Sequence, residues 1–361
     1  MTIRTAHAPP TGRVRSLQAL RGLAAAMVVL AHAIEHAPGR SADPITLTGR
    51  FGVDIFFVIS GFVIAYVAGD RPFRPGRFMM RRIWRVAPLY WGLTLIVAAA
   101  ALATPGAFKT TAFAFDYFVK SLLFIPAALP GTIDWRPLFK LGWTLNYEMF
   151  FYLVVAALFW CRSMLQRAIV LSVVMGLLVL LSVFVAPSSG ILAFYANLNL
   201  LPFISGVWLA VLWQTGLIAR VPRPAAWLVL TAAIVATLAF YRIEFWTVRR
   251  LDGHLLMSVA ATLIGAAVLL FEDMLARFRV PQWLGDISYS LYLSHMFVVG
   301  TAWAVLNRLS IGVDSVLGAL AIVGIFGVSL VVAQLSYRYV EQPLMRVETR
   351  RRDRAKPHLM P

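Results

Sequence analysis

A titratable side chain placed in hydrocarbon costs roughly 2.5–3.5 kcal/mol on insertion scales, so each one found there needs a partner or a task. This sequence sets several into otherwise apolar runs. In LQALRGLAAAMVVLAHAIEH, residues 17–36, Arg21 and His32 stand eleven apart. That is about three helical turns, which puts both on one face and ~16 Å apart along the axis. Asp54 lies in FGVDIFFVISGFVIAY, and Arg82 with Arg85 in FMMRRIWRVAPLYW. Glu148 shares a face with Tyr152 in LGWTLNYEMFFYLVVAALFW, and Ser288, Tyr292 and His295 form one polar stripe in LGDISYSLYLSHMFVV.

These types suit proton transfer at one end and anion binding at the other. An imidazole oriented by a carboxylate is a general base. Asp54, about one turn below the surface and at a depth like that of His32, is one candidate partner, and Glu148 is the other. Arg82 and Arg85, three apart, face one way and fit a phosphorylated ligand, either a nucleotide-like cofactor or lipid headgroups. Each residue also has a purely structural reading: Arg21 as a snorkelling anchor, His32 and His295 as packed histidines, Asp54 as a helix cap, Glu148 as a buried ion-pair member. Glu341, in YRYVEQP, is placed to pair with the arginines around 82. The stretch HAIEH fits the inverted zinc-protease pattern H-x-x-E-H, but no further ligand motif follows, and no metal is expected.

The elements that must carry these residues follow from composition. Of 361 residues, 60% are hydrophobic and 14% charged, against about 25% charged in a soluble domain. The deficit runs the whole length, which predicts an all-α integral membrane protein. Ten spans are expected near 17–37, 51–68, 83–104, 141–160, 168–186, 192–214, 225–241, 254–271, 284–306 and 314–336, each long enough for ~30 Å of hydrocarbon. The stretch 113–126 is short and holds Asp116 and Lys120, so it reads as interfacial. With ten spans, most Lys and Arg fall on the side shared by the two termini, which predicts both termini in the cytoplasm. The net charge of +17 comes from short basic clusters between apolar runs. This is the pattern of topology signals and lipid contacts, not of nucleic-acid binding. The single Cys161 excludes an internal disulfide. No cleavable signal peptide, repeat or separate soluble domain is expected. A tail over 1–14, a membrane domain over 15–346 and a basic cytoplasmic tail over 347–361 complete the organisation.

Taken in order, RSLQALRGLAAAMVVLAH with its R-x10-H spacing, FGVDIFFVISGFVI, RRIWRVAPLYW, WTLNYEMFFYL, LGDISYSLYLSH and YVEQPL resemble the membrane acyltransferase-3 family of O-antigen and exopolysaccharide O-acetyltransferases. The likeness runs from residue 15 to about 346, in the stand-alone form without an SGNH domain. It implies a ten-helix bundle in the bacterial inner membrane. It also implies transfer of an acyl group, usually acetyl, from cytoplasmic acetyl-CoA to a hydroxyl on a polysaccharide or lipid-linked sugar, with no metal. Carried over, the R-x10-H pair is Arg21 and His32, the R-x-x-R pair Arg82 and Arg85, and the acidic residue of W-[ST]-L-x-x-E is Glu148. Where members often carry an arginine and an acidic residue before the glycine of the sixth span, this chain has Asn197 and Asn199 in YANLNLLPFISG.

The combined expectation assigns His32, Glu148 and Asp54 to catalysis and Arg21, Arg82 and Arg85 to acyl-CoA. Tyr152, Tyr292 and His295 are assigned to substrate. Membrane lipids are partners, and a homo-oligomer is compatible with the sequence. Exopolysaccharide, lipopolysaccharide, a lipid-linked oligosaccharide and a small molecule such as a macrolide all fit as acceptor. The rival class is a transporter or flippase for a glycan that uses the buried His and Glu as a proton relay. Such proteins often show internal repeats and paired broken helices, and neither is visible here. A third class, a scaffold for polysaccharide export, leaves the intramembrane charges unexplained.

Overall fold

The computed structural model describes residues 14–37, 44–69, 73–104, 111–129, 131–185, 187, 190–244, 251–309 and 315–346. The expected tails, 1–14 and 347–361, lie outside the described residues apart from Val14. Every regular element among the described residues is helical. In chain order these are α1 (Arg15–Glu35), α2 (Pro44–Ala68), α3 (Pro75–Ala103), α4 (Phe115–Leu122), α5 (Trp143–Ala157), α6 (Met164–Phe184) and α7 (Gly190–Tyr195). They continue as α8 (Leu201–Gln214), α9 (Arg223–Glu244), α10 (Leu251–Leu270), α11 (Glu272–Leu275), α12 (Arg279–Asp286), α13 (Ser288–Arg308) and α14 (Val316–Ser336).

Ten of these helices fall on the ten expected apolar segments, and the chain is a multi-pass membrane protein. Eight of the described helices are long and apolar enough to cross a bilayer. The two short ones are α5, with 15 residues, and α8, with 14. At 1.5 Å per residue they reach only ~21–23 Å, less than the ~30 Å of hydrocarbon. Both are led in by irregular chain. A 3-10 turn at Lys140–Gly142 precedes α5, flanked by buried Leu138, Phe139 and Leu141. A second 3-10 turn, Leu198–Leu200, precedes α8, and Asn197 caps it by accepting the Asn199 N–H at 3.0 Å. Irregular backbone at membrane depth is tolerated where protein rather than lipid surrounds it. The interfacial stretch is α4, eight residues with an exposed Asp116–Lys120 ion pair, too short to cross.

The helices sort into a centre and a rim. In α1 and α2 the most apolar windows are 61% and 72% buried, against 17% in α9 and 22% in α14. Leu228 and Leu238 of α9 and Val323 and Val331 of α14 are exposed, as lipid-facing side chains are. At the centre α2 crosses α8 at glycines. A Cβ on Gly206 would lie 2.0 Å from the Val58 carbonyl oxygen, and one on Gly61 would lie 2.2 Å from that of Phe203. Only glycine lets the two backbones approach so closely. The position of α1 is fixed the same way, because Gly285 of α12 meets the Gln18 carbonyl and Gly22 meets Leu284. Those contacts flank Arg21. One expectation is corrected: α2 begins at Pro44, not near 51. Proline suits the first turn of a helix, where its missing N–H has no partner to lose.

Candidate active site

The first halves of α1 and α3 bring three arginines to one cavity. Arg21, Arg82 and Arg85 line it with Glu148 and Tyr152 of α5 and Tyr289 and Tyr292 of α13. The cavity encloses about 800 Å³, counted out to its mouth. Apolar side chains of α2, among them Phe56, Ile59 and Val63, form one wall. Arg82 and Arg85 share a face as their spacing predicted. Arg85 is exposed at the mouth, whereas Arg82 is largely covered. The Arg82 guanidinium lies 5.6 Å from the Phe78 ring and 5.7 Å from the Tyr152 ring, a stacked position that holds a planar cation. Its Nε is buried and has no hydrogen-bond partner among the described residues. Glu148 accepts from the Tyr152 hydroxyl and, at 3.3 Å, from Ser60. Glu341, buried on the π turn Tyr337–Glu341, accepts from Ser290 at 2.8 Å and lies in the field of Arg21 and Arg85.

Tyr292 and Thr144 line the cavity, and neither His32 nor His295 does. The Tyr292 hydroxyl is 2.8 Å from Thr144 Oγ1 and donates to the Leu141 carbonyl at 3.1 Å. One turn farther along α13 stands His295, wholly buried, its ring centroid 6.1 Å from that of Tyr292. His295 Nε2 is 3.0 Å from His32 Nδ1, and its Nδ1 is 3.1 Å from the Leu291 carbonyl oxygen. Trp303 pins the same stretch of α1 by donating to the Ala33 carbonyl at 2.7 Å. The other His32 nitrogen, Nε2, lies 4.0 Å from Glu35 Oε2, on the edge where His32 is 25% and Glu35 45% exposed. His36 stands edge-on to His32 at 5.7 Å. Among the described residues no three His, Cys, Asp or Glu side chains converge as a metal site.

Three sequence assignments change. Asp54 does not reach His32. Gly49 of α2 packs on Ala31 while Gly52 packs on Ala24 and Val28, so α2 runs opposite to α1 and Asp54 lies about six residues, or ~9 Å, beyond the level of His32. The early start of α2 caused the error, because it sinks every later residue of the helix. Asp54 faces α10, where it meets Ser258 at 3.4 Å, one turn from Arg50, whose Nη2 is 2.6 Å from His254 Nε2. Glu148 is likewise too deep to orient His32, since α5 begins only at the level of Tyr292. His295, expected to touch substrate, is wholly buried and lies 3.0 Å from His32. Among the described residues the carboxylate nearest His32 is Glu35, at 4.0 Å, the acidic residue of HAIEH. Its i,i+3 spacing from His32 was the available signal.

The irregular chain before α5 passes over the His32 end. Asp134 accepts from Arg136 Nε at 2.8 Å and Nη2 at 2.9 Å and from Lys140 Nζ at 2.8 Å. Tyr117 donates to the Arg136 carbonyl at 2.5 Å, and Glu35 adds its field at Arg136. Burial pushes the Asp134 carboxyl up, but the hydrogen bonds from Arg136 and Lys140 outweigh it and hold the group well below its ordinary 3.8. A lowered folded-state value contributes stability that is complete above 3.8 and lost as pH falls beneath it. Asp134→Asn is therefore expected to lower Tm at pH 7 by a few degrees, roughly 1–3 °C. The deficit should shrink between about pH 4 and pH 2.5, because the unfolded-state carboxyl takes up a proton there while the folded one stays charged. Melting curves of the solubilised protein across that range check this; a deficit independent of pH would refute it.

Comparison with known proteins adds an independent line. The sequence model of the family described as "Acyltransferase domain" matches residues 14–338. The exopolysaccharide production protein ExoZ of Rhizobium meliloti is 30% identical over 86% of this chain and 94% of its own length. The putative membrane-bound transacylase BcsY of Komagataeibacter xylinus is 28% identical over 94% of this chain and 85% of its own. The peptidoglycan O-acetyltransferase OatA of Listeria monocytogenes is 25% identical over 92% of this chain and 56% of its own. No solved structure gives a significant match.

Proposed function

We infer the function from one premise: this chain belongs to the acyltransferase family whose domain spans residues 14–338. It is a membrane O-acyltransferase. The donor is acyl-CoA, with acetyl the favoured group, and the acceptor is a hydroxyl of a cell-surface or exported polysaccharide. The enzyme sits in the bacterial inner membrane with the arginine end of the bundle toward the cytosol, where positive charge is retained.

The observation that carries the donor assignment is the cavity with Arg21, Arg82 and Arg85 on one side and an apolar α2 wall on the other. Coenzyme A has matching parts: phosphates for the guanidiniums and a long flexible arm for the apolar channel. Tyr152 and Glu148 place Arg82 by stacking and charge. The thioester end reaches the Tyr292–Thr144 closure, and displacement of that hydroxyl pair admits it to His32.

At His32 the acceptor hydroxyl gives its proton to Nε2 as its oxygen attacks the thioester carbonyl. The tetrahedral intermediate collapses with loss of the C–S bond. The sulfur leaves with the proton returned from the imidazolium, so the products are an ester and coenzyme A. A base on this path typically contributes 10²–10⁴-fold.

The test is label transfer. Membranes containing the protein, supplied with radiolabelled acetyl-CoA and the producing cell's own surface glycan, are expected to move label into alkali-labile ester on the glycan. Glycan translocation that proceeds without acetyl-CoA and without ester formation would support the transporter reading in its place.

A further inference from the structure

We propose that His295 is a positioning residue that decides which nitrogen of His32 is basic, and that Glu35 holds the proton's charge during transfer. The proposal rests on the reading of His32 as the base. It comes from following the protons along one chain of contacts between α13 and α1.

The chain starts at a group with no choice. The Leu291 carbonyl oxygen can only accept, so His295 Nδ1, 3.1 Å away, must donate and carries the proton. In neutral His295 the other nitrogen, Nε2, is then a lone pair. That lone pair faces His32 Nδ1 at 3.0 Å, so His32 Nδ1 carries a proton too. A neutral imidazole has one N–H. His32 Nε2 is therefore left as the lone pair, and it is the nitrogen on the partly exposed edge beside Glu35. The half-stacked arrangement of the rings, 28° between planes at 5.1 Å, fixes the rotation of His32 as well as its tautomer. Total burial of His295 and the Trp303 bond to Ala33 keep the pair in register.

Glu35 completes the arrangement. With Nε2 unprotonated, the Glu35 carboxylate stands 4.0 Å from a neutral ring. Once Nε2 takes the acceptor's proton, an ion pair is already within reach. Among the described residues, the other charged or titratable groups facing this edge are His36, at 5.7 Å between ring centroids, and Arg136, across from Glu35. A triad of Ser, His and Asp uses a carboxylate on the buried nitrogen to fix the tautomer, and loss of that control costs about 10⁴-fold. Here a second histidine takes the buried position and the carboxylate stands on the reacting side.

Two measurements test the proposal. In protein labelled with ¹⁵N at its six histidines, His32, identified by the signal lost in His32→Gln, is expected to show the Nδ1–H tautomer. An Nε2–H tautomer in the wild type would overturn the proposal without any variant having to fold. In the second, His295→Phe fills the space but offers no acceptor, and kcat is expected to fall by about 10²–10³-fold, with donor KM within about twofold, by the tautomer argument. His295→Gln, which can offer an amide oxygen to Nδ1–H, is expected to recover at least about tenfold of that loss. A Gln variant no better than Phe at equal melting temperature would overturn it. Wild-type transfer by His32→Ala would instead remove the reading of His32 as base, whatever the tautomer.

Discussion

His32→Ala is expected to lower kcat for acyl transfer by about 10²–10⁴-fold while the protein still inserts and folds. The size of the effect follows from the task. An alcohol attacks a thioester slowly unless its proton is removed as the C–O bond forms, and in the proposed arrangement His32 Nε2, on the partly exposed edge, takes that proton. The cost to stability is smaller. The variant leaves His295 Nε2 buried without its partner, a penalty of about 1–3 kcal/mol. The rest of α1 remains clamped by Trp303 on Ala33 and by the Gly22 and Gly285 contacts. The measurement is label transfer at saturating acetyl-CoA, with Tm and membrane yield recorded in parallel. Activity within severalfold of wild type in a correctly inserted variant would refute the assignment.

The second large effect is expected at the arginines and in a different constant. Arg85→Ala should raise the donor KM by about tenfold or more and leave kcat within a few fold, because an exposed phosphate contact at the cavity mouth binds ground state and transition state alike. Arg82 should be less forgiving. Its guanidinium lies 5.6 Å from the Phe78 ring and 5.7 Å from the Tyr152 ring, and an ammonium there keeps the charge but loses the planar contact and the fork of donors. Arg82→Lys is therefore expected to raise donor KM nearly as much as Arg82→Ala. Initial rates over a range of acetyl-CoA concentrations separate these outcomes. An unchanged donor KM in both Arg82→Ala and Arg85→Ala would count against the cavity as the donor site.

What was legible in the sequence was whatever depends on local pattern. Ten apolar segments stood out because hydrocarbon thickness demands a run of fixed length, and ten helices occupy them. The shared face of Arg82 and Arg85, and that of Glu148 and Tyr152, followed from helical spacing. Depth was not legible, because it is counted from the end of a helix. The polar stretch before Phe51 hid the true start of α2 at Pro44, and the error carried straight to Asp54. The same holds for Glu148, since nothing in the spacing shows that the chain before α5 dips inward as irregular structure. The His32–His295 contact spans 263 positions and is a property of how α13 packs on α1. Periodicity placed each histidine on a face but gave no reason to pair them. Glu35 was within reach of spacing arguments, yet it was read as part of a metal pattern.

The Tyr292–Thr144 closure has a bearing on waste. A thioester standing open to a wet passage that ends in a base is a substrate for water as well as for sugar. On the reading proposed above, these two hydroxyls, bonded to each other, would stand between the donor's thioester and the histidine that activates the sugar. Coupling the opening of that partition to arrival of the sugar would let the cell hold a charged enzyme in its membrane without leaking acetate.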